Sequence, residues 1–124
     1  MRNLTLTSIV FSLLLAACTQ QPSQRGAVLI TNSLHAHSAT VDVYFDGTHT
    51  DTLNFTPNGN DVKNYGPQLG QVMCIEMHAP NTHSAYRFTI LKGYPYGYGA
   101  EVVDYSGVVE LKPSADGVAV PQCS

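Results

Sequence analysis

The sequence predicts an all-β protein, a small antiparallel β-sandwich that follows a cleaved leader and a short tether. Three observations carry this. From residue 27 onward, no long segment repeats its apolar residues at helical spacing. Short stretches alternate apolar and polar residues instead, which puts the apolar set on one face of a strand. Clusters of Gly, Pro, Asn and Asp separate these stretches, and those residues turn a chain. Two such sheets bury their apolar faces against each other.

The elements follow in order. Ala27–Thr31 is a short apolar run rich in β-branched residues and reads as a buried strand. Leu34–Ser38 is a loop. Thr40–Asp46 sends Val41, Val43 and Phe45 one way and Asp42, Tyr44 and Asp46 the other. Asp46-Gly47 turns the chain, and Thr50–Thr56 returns with Leu53 and Phe55 inward. Pro57-Asn58-Gly59-Asn60 is a turn. Asp61–Tyr65 is a short strand, and Pro67 and Gly70 break the chain after it. Gln71–His78 places Met73, Ile75 and Met77 in one phase and Val72, Cys74 and Glu76 in the other. Ala79-Pro80-Asn81 turns into a strand in which Tyr86, Phe88 and Ile90 alternate with Arg87, Thr89 and Leu91. Gly93–Gly99 is a glycine-tyrosine loop. Ala100–Tyr105, Val108–Lys112 and Val118–Val120 are the remaining strands, with Ser106-Gly107 turning between the first two.

The N-terminus has a different character. Arg2 precedes the apolar run Ile9–Leu15, which is shorter than the roughly 20 residues a membrane-spanning helix needs. Leu15-Ala16-Ala17-Cys18 ends that run and resembles the lipobox of bacterial lipoproteins. The resemblance implies cleavage before Cys18 and acylation of that residue. Residues 1–17 are then a signal peptide, 18–26 a polar tether and 27–124 the folded domain. Each buried methylene contributes about 0.8 kcal/mol, so the several acyl chains of a lipoprotein make a lasting anchor. The implied location is the cell envelope. Thr19 stands where an Asp would favour inner-membrane retention in a Gram-negative cell, which points to the outer membrane, facing the periplasm or the cell surface.

With Cys18 lipidated, Cys74 and Cys123 remain as a pair in an oxidising compartment, and the resemblance implies a disulfide between them. Two free thiols, or a thiol ligand at Cys74, are the alternatives. Cleavage removes Arg2 from the six basic residues and none of the nine acidic ones, taking the net charge from −3 to −4. No basic cluster is present, which argues against a nucleic-acid partner.

A second resemblance is local. Val41-Asp42-Val43-Tyr44-Phe45-Asp46-Gly47 is similar to a strand signature, VDVY-x-DG, of a bacterial envelope domain family of unknown function, with Tyr65 and Gly70 where that family carries a later Tyr and Gly. The likeness spans about residues 27–78. It implies an immunoglobulin-like or transthyretin-like sandwich and brings no catalytic residues.

Three constellations invite chemistry. His35-x-His37 share a side if extended, and with His78 and His83 they make a candidate copper or zinc set. Cys74-x3-His78-x4-His83 resembles the ligand loop of blue-copper proteins, except that His83 stands where a methionine is expected. Tyr94, Tyr96 and Tyr98 alternate with small residues and would form an aromatic row for sugar rings or a protein partner if extended; the alternative is that they cover the core edge. Asp42 and Asp46 share a strand face, the usual decoration of a solvated surface. There is no G-x-S-x-G, no H-E-x-x-H and no phosphate-cradling glycine loop, so a catalytic role is not expected and no cofactor is implied. The sequence therefore points to a non-catalytic, membrane-anchored binding or structural module whose partner is another envelope protein or the cell wall. A periplasmic metal-binding protein is one alternative. An inhibitor or exclusion factor, blocking an enzyme or receptor through Tyr94–Tyr98, is the other.

Overall fold

A computed structural model describes residues 24–59, 61–114 and 116–124. The leader, Cys18 and most of the tether lie outside the described residues. Nine strands form among these residues: β1 (Val28–Ser33), β2 (Ala39–Phe45), β3 (Thr48–Phe55), β4 (Val62–Tyr65), β5 (Val72–Ala79), β6 (Thr82–Thr89), β7 (Tyr98–Tyr105), β8 (Val108–Pro113) and β9 (Val118–Val120). They build a four-stranded sheet, β4-β1-β7-β8, packed on a five-stranded sheet, β3-β2-β5-β6-β9. The chain is thus an all-β sandwich, as its alternation predicts.

Every strand pairing is antiparallel except one. β1 and β7 run parallel, with Val28 opposite Tyr98 and Ser33 opposite Val103. A parallel pair needs a long crossover. Here the hairpins of the second sheet supply it, since β2, β3, β5 and β6 all lie between β1 and β7 in sequence. The expected antiparallel sandwich is corrected at this one pair, because alternation specifies faces and says nothing of which distant strand becomes the neighbour.

Two hairpin turns use paired positive φ angles, Asp46 with Gly47 (51° and 81°) and Ser106 with Gly107 (52° and 85°). That is the turn geometry whose twist matches the flanking strands. Ile30, Val41, Val43, Met73, Ile75, Met77, Ile90 and Val102 have no exposed surface and form the centre of the core with Val28, Leu34, Phe55, Phe88, Val109 and Leu111. Burying each of the larger side chains contributes about 1.5–3 kcal/mol. Val41, Val43, Phe55, Met73, Ile75, Met77, Phe88 and Ile90 belong to the predicted inward phases, whereas Leu34 comes from a segment predicted as a loop.

A second, smaller apolar cluster sits outside the sandwich. Cys74 and Cys123 are joined, with Cα atoms 5.6 Å apart, and with Ala85 they pack against Tyr44 and Val120. The chain after β9 folds back over the outer face of β5 and β6 to make this bond. Residues of the polar phase are buried as a result, including Cys74 and Glu76.

The two ends of the sandwich differ. At one end the chain enters from the tether: Gly26 N donates to Pro67 O at 2.7 Å, Tyr94 N to Arg25 O at 2.9 Å and Tyr98 N to Ala27 O at 2.7 Å. A Cβ on Gly26 would meet Ile90 Cγ2 at 2.6 Å and Lys92 O at 3.2 Å, so this close passage requires glycine. The opposite end holds the β5–β6 turn and the loop from β1 to β2. There the Asp104 side chain, only 4% exposed, receives His37 Nδ1 at 2.8 Å and the Ala36 amide at 3.3 Å. The hydrogen bond from His37 holds the Asp104 carboxyl below its ordinary range; burial opposes this and the Ala36 amide adds to it.

Candidate functional site

The outward faces of β2, β3, β5 and β6 assemble a histidine and carboxylate cluster. Register does the assembling. Thr40, His78 and His83 lie side by side across β2, β5 and β6, and Asp42, Glu76 and Ala85 form the next row. Thr52 of β3 stands opposite Asp42, and His49 opposite Tyr44. Residues two apart on a strand share a face, so each strand of the central pair contributes repeatedly to one patch.

Glu76 is the floor. Its residue is 6% exposed, shielded by the chain around Cys123. The Cys123 amide donates to Glu76 Oε1 at 3.1 Å. The other oxygen, Oε2, faces two imidazoles: His83 Nε2 at 2.5 Å and His78 Nε2 at 3.7 Å. The two histidine rings lie 4.9 Å apart, tilted by 33°. His78 Nε2 also lies 3.3 Å from Asp42 Oδ2. Asp42 Oδ1 accepts from Thr52 Oγ1 at 2.7 Å and meets His49 Nε2 at 3.2 Å. Partial burial pushes the Asp42 pKa up, but the Thr52 and His49 hydrogen bonds and the charges of His49 and His78 outweigh it, leaving the carboxyl below its ordinary value.

Asp42 and Glu76 stand directly opposite each other on neighbouring strands. Like charges in that relation are destabilising. Among the described residues no lysine or arginine reaches either one as an ion-pair partner; their ion-pair partners are imidazoles.

The structure sorts the sequence-derived candidates. His78 and His83 come together. His35 is exposed in the β1–β2 loop, and His37 in the same loop is engaged by Asp104 of the other sheet. Neither belongs to the group whose ligand atoms converge, which consists of Glu76, His78 and His83 within 4.8 Å of one another. Cys74 is held in the disulfide, which removes it as a thiolate ligand and ends the blue-copper likeness. Asp42 belongs to the cluster, whereas Asp46 accepts from the Val72 amide at 2.9 Å at a strand turn. Glu76 is not among the sequence-derived candidates, and His49, one of five histidines that invite a metal hypothesis, lies outside the four-residue metal set. The signal for Glu76 was present, because Cys74, Glu76 and His78 recur at every second residue and so share the outer face.

The tyrosines divide. The chain turns at Tyr94-Pro95, so the three rings do not lie along one extended segment. Tyr94 and Tyr96 are 82% and 65% exposed. Tyr98 opens β7, stacks on Phe88 with centroids 5.5 Å apart, and its hydroxyl accepts from the Leu91 amide at 2.7 Å and the Lys92 amide at 3.2 Å. Beside this loop runs an open groove of about 460 Å³, lined by Arg87, Phe88, Leu91, Lys92, Tyr98 and Val118 among others. Tyr94 and Tyr96 thus stand at the tether end, and the histidine cluster lies towards the far end.

No family model matches this chain, and no curated protein matches its sequence. The likeness to an envelope family rests on Val41–Gly47 with Tyr65 and Gly70.

Proposed function

We propose that the chain is a lipid-tethered protein of the bacterial cell envelope, a non-catalytic module that binds another envelope protein or the cell wall. One observation carries this reading, the disposition of the three cysteines. Leu15-Ala16-Ala17-Cys18 closes the apolar run of the leader in the pattern of a lipobox. Both cysteines among the described residues are spent in one bond, Cys74 to Cys123. A structural disulfide belongs to an oxidising compartment, and an exported, acylated Cys18 accounts for the third cysteine.

The direction of the tether bears on how the module works. Arg25 and Ala27 are bonded to the loop that carries Tyr94 and Tyr98, so that end of the sandwich faces the anchor. Tyr94, Tyr96 and Leu91, three exposed apolar side chains beside a groove, form the contact surface for a partner held near the membrane.

The test is fractionation and crosslinking in cells. The parent sediments with membranes, and a Cys18→Ser variant does not. A photocrosslinking residue at position 94 captures the same partner in the parent and loses it after Tyr96→Ser and Leu91→Ser. A C18S variant that stays in the membrane fraction contradicts the tether. Crosslinks that are unchanged by the paired substitutions contradict the contact surface.

A further inference from the structure

We propose that Glu76, His78 and His83 form a binding site for a divalent transition ion, Zn2+ foremost. The site goes beyond the tether reading and does not depend on it.

The donor set comes first. Two imidazole nitrogens and a carboxylate oxygen lie within 4.8 Å of one another on two adjacent strands. A zinc ion holds such donors at about 2.0–2.2 Å, which puts neighbouring donors roughly 3.3 Å apart in a tetrahedron. His78 Nε2 lies 3.7 Å from Glu76 Oε2, close to that spacing. His83 Nε2, at 2.5 Å from Glu76 Oε2, must swing outward by less than an ångström. Its side chain is 41% exposed and free to do so. Imidazole with carboxylate suits zinc, copper or nickel, whereas calcium and magnesium demand oxygen donors throughout.

Glu76 is also oriented from behind. The Cys123 amide holds Oε1, which turns Oε2 towards the two histidines. An outer partner of this kind fixes a ligand's direction in metal sites. The disulfide made by the same residue holds that amide in place.

Charge completes the argument. Asp42 and Glu76 face each other across one strand pair, and among the described residues no lysine or arginine pairs with either. A dication placed at the imidazole nitrogens cancels both charges. It binds each ring through an unprotonated Nε2, so any proton there passes to Nδ1 or to solvent. With His78 and His83 nearly half exposed, the ion has an open route in and an open coordination position once bound.

Equilibrium dialysis of the purified, oxidised protein against micromolar zinc chloride tests this. One zinc ion per chain is expected. His78→Asn and His83→Asn each weaken binding by more than about tenfold, a loss that even an outer partner's removal can bring. A His35→Asn/His37→Asn double variant binds as the parent does, and millimolar calcium does not compete. Circular dichroism in chelator must show each variant still folded at the dialysis temperature, which separates a lost ligand from a lost fold. Three results overturn the proposal: no saturable zinc uptake, equal affinity in a His78→Asn/His83→Asn double variant, or loss confined to the His35/His37 variant.

Discussion

Replacing Cys74 and Cys123 together by alanine removes a cross-link between residues 49 apart in sequence. The chain-entropy relation gives about 4 kcal/mol for a loop of that length at 25 °C, through freedom returned to the unfolded chain. Little else holds the C-terminal segment. β9 pairs with β6 over three residues, and Cys123 N donates to Glu76. Ala85 and Glu76 both lose their cover when the segment lifts. For a domain of this size each kcal/mol shifts the melting temperature by about 4–8 °C, so a fall of roughly 15–30 °C is expected. Circular dichroism melts of the parent, the parent in reductant and the double variant measure it. The reduced parent and the variant should melt within a few degrees of each other. A fall of less than about 5 °C in both would refute the reasoning, because the closed loop would then contribute almost nothing.

Further outcomes follow from single contacts. Tyr65→Phe removes the hydroxyl that donates to Asp51 Oδ2 at 2.7 Å and should cost about 0.5–1.5 kcal/mol in urea unfolding; no change would mean that water replaces the bond without loss. Tyr98→Ser should cost about 3 kcal/mol or more, since the ring stacks on Phe88, while Tyr94→Ser with Tyr96→Ser should stay within about 0.5 kcal/mol of the parent. Gly26→Ala should destabilise by about 1–3 kcal/mol, because the methyl group collides with Ile90; an unchanged midpoint would show that the entry segment shifts freely. Asp104 has a lowered pKa in the folded state, so its contribution is complete above the unfolded value of about 3.9 and is lost as pH falls through the folded one. The melting gap between parent and Asp104→Asn should close as pH falls below about 4; a gap that persists undiminished at about pH 2 contradicts the His37–Asp104 account.

Strand positions were legible in the sequence because burial on one face forces alternation. Val41, Val43, Met73, Ile75, Met77, Val102, Val109 and Leu111 announce their strands and all point inward. Turn residues were equally legible, since Asp46-Gly47 and Ser106-Gly107 adopt the backbone angles that favour them. Partnership between distant strands was not. Nothing local in Val28–Ser33 specifies a parallel neighbour at Tyr98–Tyr105. The candidate site was half legible. His78 and His83 stand out by residue type, and their place on one hairpin brings them together. Glu76 did not stand out, because an acid in an outward phase looks like any solvated residue. What makes Glu76 different is the chain arriving from Cys123, a contact that strand periodicity does not encode. His35 and His37 show the converse. Their spacing suggested a pair, but the loop gives His37 to Asp104 on the other sheet.

Intact-mass analysis of the protein extracted from membranes addresses the tether most directly. The account predicts a chain that begins at Cys18, carries a diacylglyceryl group and further acyl mass on that residue, and lacks the two hydrogens of an unbridged Cys74 and Cys123. A chain that begins at another residue, or at Cys18 with no lipid mass, contradicts it.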